Sequence, residues 1–132
     1  MGDNITKRIL VLEDSEEMRA FLVDILTSRG YQVTAPVDSY VALSTARGEQ
    51  PYDLVTVDLK MSLIDGLTFV KALQDNGIDT PVIAITAYPS DPKIEQMRQL
   101  GVRHILPKPF KVEVLFEAVR DVLGEPGEID SE

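Results

Sequence analysis

Five short apolar runs, each stopped by polar residues and each followed by a segment with helical spacing, constrain this chain more than any other feature. The runs are Ile9 to Leu12, Tyr31 to Ala35, Asp53 to Val57, Pro81 to Ile85 and Val102 to Leu106. Runs this short and this rich in Val and Ile read as strands, and Asp53 to Val57 as a strand buried on both faces. Tyr31 to Ala35 is more polar and belongs nearer an edge. Between the runs the period changes. Met18, Phe21, Leu22, Ile25 and Leu26 share one helical face, after a cap at Ser15 or Asp14 with Glu16 and Glu17 in the first turn. Ser39 to Arg47 forms a short helix with Leu43 and Ala46 inward. A third runs from about Gly66 to Asn76 and buries Leu67, Val70 and Leu73. Asp91 caps the fourth, Pro92 takes its first position, and it runs to Leu100. Lys111 to Leu123 is the last, with Val112, Leu115, Phe116, Val119 and Val122 or Leu123 inward.

Strand-helix alternation with short connections predicts an α/β fold, a parallel sheet with helices on both faces. Right-handed crossovers leave few topologies, and the flavodoxin-like order 2-1-3-4-5 is favoured. In that order the ligand crevice opens where the carboxyl ends of strands 1 and 3 diverge. At 132 residues the chain is one domain. We place it at residues 1–124, with 125–132 an acidic tail or the start of a linker. The net charge of −9 offers no basic stripe to neutralise phosphates, which argues against nucleic acid and anionic membrane as direct partners. There is no cysteine, so no disulfide framework or thiolate metal site exists. The N-terminus is polar and no apolar stretch reaches membrane-spanning length, so a soluble cytoplasmic protein is expected.

Placed on that sheet, the polar strand ends converge. Strand 1 ends in Glu13 and Asp14, strand 3 in Asp58, strand 4 in Thr86 and strand 5 in Lys108. Taken singly, each has a bland explanation: a cap, a turn residue, a solvated lysine. Jointly, at one edge of one sheet, they point to a site. Asp58 is expected to be the first residue to leave its strand, and a carboxylate there stays solvated and faces whatever binds. Three crowded carboxylates repel by about 1–4 kcal/mol per pair. The ligand set is all oxygen, which implies a hard cation, and Mg²⁺ fits best. Phosphoryl transfer needs mainly positioning and charge neutralisation, which a metal, a hydroxyl and an ammonium supply. Asp58 is then the candidate nucleophile, forming an acyl phosphate.

The motifs Val11-Leu12-Glu13-Asp14, Val57-Asp58-Leu59-Lys60-Met61 with Asp65-Gly66, Ile85-Thr86-Ala87 and Lys108-Pro109-Phe110, in this order, resemble the receiver domain of bacterial two-component response regulators. The resemblance covers about Arg8 to Leu123. It implies that Glu13 and Asp14 hold Mg²⁺, Asp14 more directly, and that the Lys60 carbonyl is a further ligand. It implies that Asp58 accepts a phosphoryl group from the phosphohistidine of a histidine kinase or phosphotransfer protein. It implies that Thr86 bonds that group, that Lys108 pairs with it, and that the bond before Pro109 is cis. A downstream protein would dock on the face of helix 4, strand 5 and helix 5, with the chain a monomer or weak dimer.

Four residues depart from the family pattern. Ser62 stands where Pro is usual, which is expected to loosen the loop after Asp58. Ile105 replaces a strand-5 aromatic, Lys111 replaces a capping residue, and Pro89 lies in the loop after strand 4. Stiff, β-branched Ile105 is expected to stay inward, leaving output to the loop from Tyr88 to Ser90 and to helix 4. His104, the only histidine, reads as a partly exposed surface residue. A Mg²⁺-dependent phosphohydrolase is an alternative, but it wants an acid/base Asp two residues after the nucleophile, where Lys60 stands. A non-phosphorylated interaction module is a third reading, and the intact set Asp14, Asp58, Thr86, Lys108 argues against it. No G-x-x-x-x-G-K loop is present for phosphorylation from ATP.

Overall fold

Strands and helices alternate through the computed structural model, which describes residues 6–48 and 50–124. In chain order they are β1 (Arg8–Leu12), α1 (Glu16–Ser28), β2 (Gln32–Thr34), α2 (Ser39–Ala46), β3 (Leu54–Val57), α3 (Gly66–Asp75), β4 (Val82–Thr86), α4 (Pro92–Gln99), β5 (His104–Pro107) and α5 (Val112–Leu123). The strands form one sheet in the order β2-β1-β3-β4-β5, with every pairing parallel. The tail expected at 125–132 lies outside the described residues. Among those described, no helix is long and apolar enough to cross a membrane.

Two apolar layers flank the sheet, and strand alternation sorts residues between them. Leu10 and Leu12 of β1 join Ala42, Phe69, Leu73, Ile94 and Met97, so α2, α3 and α4 cover one face. Ile9 and Val11 join Leu22, Leu26, Leu115 and Val119, so α1 and α5 cover the other. β3 and β4 are buried along their whole length, which is why they read as continuous apolar runs.

Local departures from the sequence reading have physical causes. Val102 was expected to open the fifth strand, but its N–H donates to the Met97 carbonyl at 3.0 Å, and the strand starts at His104. Val102 is apolar because it is buried in the core at the exit of α4, not because it pairs in the sheet. In α2, Leu43 and Ala46 pack partly buried against the core as expected, and Ala42, which the sequence reading did not single out, is fully buried. Phe21, expected inward on α1, is 41% exposed and meets Phe110 with ring centroids 6.5 Å apart.

Caps follow the chemistry of the helix start. Ser15, Asp38, Asp65 and Asp91 each accept a backbone N–H from the first turn of α1, α2, α3 and α4. Lys111 begins α5 with no side-chain cap bond.

Candidate functional site

The N–H of Asp58 donates to the Leu12 carbonyl at 3.2 Å, which brings the end of β3 beside Glu13 and Asp14. The N–H of Lys108 donates to the Thr86 carbonyl at 2.8 Å, which does the same for β4 and β5. The bond between Lys108 and Pro109 is cis.

The Lys108 ammonium lies between two carboxylates. Its Nζ donates to Glu13 Oε1 at 2.8 Å and to Asp58 Oδ2 at 2.9 Å. The second oxygen of Glu13 accepts the Ser15 N–H at 3.1 Å, and the second oxygen of Asp58 accepts the Lys60 N–H at 3.3 Å. Burial alone would lower the Lys108 pKa, but the bonds and charges of Glu13 and Asp58 outweigh it and hold the ammonium above the ordinary lysine value.

This arrangement corrects one expectation. Asp58 does not stand solvated at the sheet edge. It is 7% exposed and Glu13 is 5% exposed. Two carboxylates so buried require a partner, and the chain supplies Lys108 itself. Part of the charge the sequence assigned to a cation is already met by a side chain.

Asp14 is separate from this group. It is exposed, and its Oδ2 accepts both the Ser62 N–H at 2.5 Å and the Ser62 hydroxyl at 2.6 Å. Among the described residues no three acids come together as a ready-made cation cage. The donor chemistry still fits Mg²⁺, which takes one or two carboxylates and completes its shell with carbonyl, water and phosphate oxygens.

Thr86 is fully buried, and its hydroxyl oxygen accepts the Tyr88 N–H at 2.9 Å. That bond leaves the hydroxyl hydrogen uncommitted. Lys60 turns its side chain away from the carboxylates. Its Nζ pairs with Asp91 at 3.3 Å and lies 5.1 Å from the centroid of the Tyr88 ring.

Asp65 and Gly66 shape the floor. Asp65 caps α3 through the Thr68 N–H and accepts Lys93 Nζ at 2.7 Å, joining α3 to the start of α4. Burial raises the Asp65 pKa, but the Lys93 bond and the Thr68 N–H together hold it below the ordinary carboxylate value. At Gly66 a Cβ would stand 2.5 Å from the Asp58 carbonyl oxygen, so only glycine lets α3 approach this closely.

Sequence reasoning missed the Ser62–Asp14 pair, although position 62 stood out. Proline there would have neither N–H nor hydroxyl, whereas Ser62 offers both and ties the loop to Asp14 where loosening was expected. Ile105 packs partly buried against the core, and His104 pairs with Asp121 at 2.9 Å.

The sequence profile of response regulator receiver domains matches residues 9–120. The polar-differentiation response regulator DivK of Brucella ovis is 30% identical over 123 residues, covering 92% of this chain and 99% of that protein. A receiver domain of a sensor histidine kinase from Pseudomonas aeruginosa, crystallised with a magnesium ion coordinated in its active-site cleft, superposes with a TM-score of 0.80. It is 29% identical and covers 92% of this chain and 100% of its own. The response regulator TrrA of Thermotoga maritima, in complex with Mg²⁺ and beryllium fluoride, gives a TM-score of 0.75 at 30% identity, covering 89% of this chain and 100% of its own.

Proposed function

Because the chain belongs to the response regulator receiver domain family, we propose that it is a phosphoacceptor of a two-component or phosphorelay system and takes the phosphoryl group on Asp58. The observation that carries this reading is the Lys108 ammonium bonded to Asp58 and Glu13 at one strand edge. It orients the Asp58 carboxylate and sets a positive charge beside it, where a carboxylate nucleophile meets an anionic phosphoryl donor.

The donor is the phosphohistidine of a histidine kinase or phosphotransfer protein. An Asp58 oxygen attacks phosphorus, the P–N bond breaks, and the imidazole nitrogen leaves with the electron pair and gains a proton. Lys108 turns from carboxylate to phosphoryl oxygen as charge moves outward, and the free hydroxyl hydrogen of Thr86 donates to a second phosphoryl oxygen. Mg²⁺ would be held by Glu13, Asp14, Asp58 and the Lys60 carbonyl, and would neutralise phosphoryl charge. When Thr86 donates to the new group, its bond to the Tyr88 N–H is perturbed, which passes the change to the loop before α4. A partner protein reads it on the face of α4, β5 and α5, in the cytoplasm. Residues 1–124 act as one domain.

The test is incubation with acetyl phosphate, with and without Mg²⁺, followed by intact mass. One added phosphoryl group, dependent on Mg²⁺ and absent in Asp58→Asn, is expected. Full labelling of the variant would reject Asp58 as the acceptor.

A further inference from the structure

We infer that Ser62 is a positioning residue that tethers Asp14 in the metal-free protein and thereby weakens Mg²⁺ binding. The inference rests on the proposed phosphoacceptor reading and concerns how that site acquires its cation. Two facts carry it. Both donors of Ser62, the N–H and the hydroxyl, converge on one oxygen, Asp14 Oδ2, at 2.5 and 2.6 Å. Among the described residues no three acids are gathered to hold a metal. Asp14 is exposed, and it is the acid of the set not engaged by Lys108.

A carboxylate oxygen that accepts two short, charge-assisted bonds has less free lone-pair density for a cation. For Asp14 to ligate directly, these bonds must lengthen or Asp14 must turn. Either change opposes binding by the strength of what is lost. The position makes this specific to the sequence: a residue without N–H and hydroxyl could not compete for Asp14 in this way. Ser62 also lies four residues beyond Asp58 on the same loop, so the tether spans from the end of β1 to the loop after β3. Cation binding that frees Asp14 therefore also frees that loop.

The experiment is Mg²⁺ titration by calorimetry on the full chain, with Ser62→Ala and Ser62→Thr beside the parent. Loss of one charge-assisted bond should tighten Mg²⁺ binding roughly 3- to 10-fold in Ser62→Ala. Ser62→Thr keeps both donors and should bind like the parent. Equal or weaker binding by Ser62→Ala overturns the inference. A second readout needs no metal. Ser62→Ala should lower the melting temperature of the metal-free parent but not of Asp14→Ala, where the acceptor is already gone. Equal losses in both backgrounds also overturn it. Labelling of Asp58 by acetyl phosphate is followed separately. Its absence, with the Ser62 effects intact, would fault the phosphoacceptor reading and support the tether; normal labelling without those effects faults the tether alone.

Discussion

Gly66→Ala probes the geometry of the site from behind. The added Cβ would meet the Asp58 carbonyl oxygen at 2.5 Å and the Asp58 carbonyl carbon and Leu59 Cα at 3.1 Å each. Ordinary contact begins near 3.4 Å, so the start of α3 and the Asp58–Leu59 peptide must separate by about 0.9 Å. All the obstructing atoms are backbone, and Leu59 is fully buried, so no flexible side chain can yield. Overpacking of this kind costs about 1–3 kcal/mol. The lower chain entropy of alanine offsets roughly 0.4–1 kcal/mol of that. We predict a net loss of about 1–2 kcal/mol, a fall in melting temperature of about 4–8 °C for a domain of this size.

The same shift moves Asp58 against Lys108 and stretches the bond from the Gly66 N–H to the Leu59 carbonyl, now 2.8 Å. Phosphorylation should slow by roughly tenfold or more, since displacements near 1 Å can cost a hundredfold. Thermal unfolding by circular dichroism and the initial rate of labelling by acetyl phosphate check the two halves. A variant that melts at or above the parent temperature and labels at the parent rate would refute the close approach of α3 to Asp58.

Thr56 tests the core beneath the site. Its hydroxyl is the one buried side-chain polar atom among the described residues with no hydrogen-bond partner, so Thr56→Val should stabilise the chain by about 1 kcal/mol in denaturant titrations. Asp65→Asn keeps the α3 cap but removes the charge facing Lys93, and should cost up to about 1 kcal/mol at pH 7 because both side chains are partly exposed. The folded pKa of Asp65 lies below its ordinary 3.8, so its contribution is complete above that value and is lost as pH falls through the folded one. Melting temperatures of parent and variant should therefore converge below about pH 4; a constant gap from pH 7 to pH 3 would contradict the assignment.

Much of this architecture is legible because parallel strands covered on both faces leave continuous apolar runs, and β3 and β4 are the clearest cases. The order 2-1-3-4-5 follows from connection lengths and handedness, which are coarse properties that survive small boundary errors. Val102 was misplaced because burial at a helix exit and burial in a strand look alike in sequence. The convergence of Glu13, Asp58 and Lys108 was readable from strand ends, but the burial of Asp58 was not. That burial depends on Gly66 letting α3 close over the peptide and on Lys108 reaching back across two strands. Ser62 shows the limit most plainly. A missing proline suggested a looser loop, whereas the two donors that serine brings could be assigned only once Asp14 stood beside it.

Borohydride trapping tests the central proposal most directly. After incubation with acetyl phosphate and Mg²⁺, the protein is treated with borohydride, which reduces an acyl phosphate to an alcohol with release of phosphate, and is then digested and mapped by tandem mass spectrometry. The proposed chemistry predicts homoserine at position 58 and nowhere else, with none formed when phosphodonor or Mg²⁺ is omitted. Homoserine at position 14 or 5-hydroxynorvaline at position 13 with an intact Asp58, or no reduced residue in a protein that has gained phosphoryl mass, would contradict it.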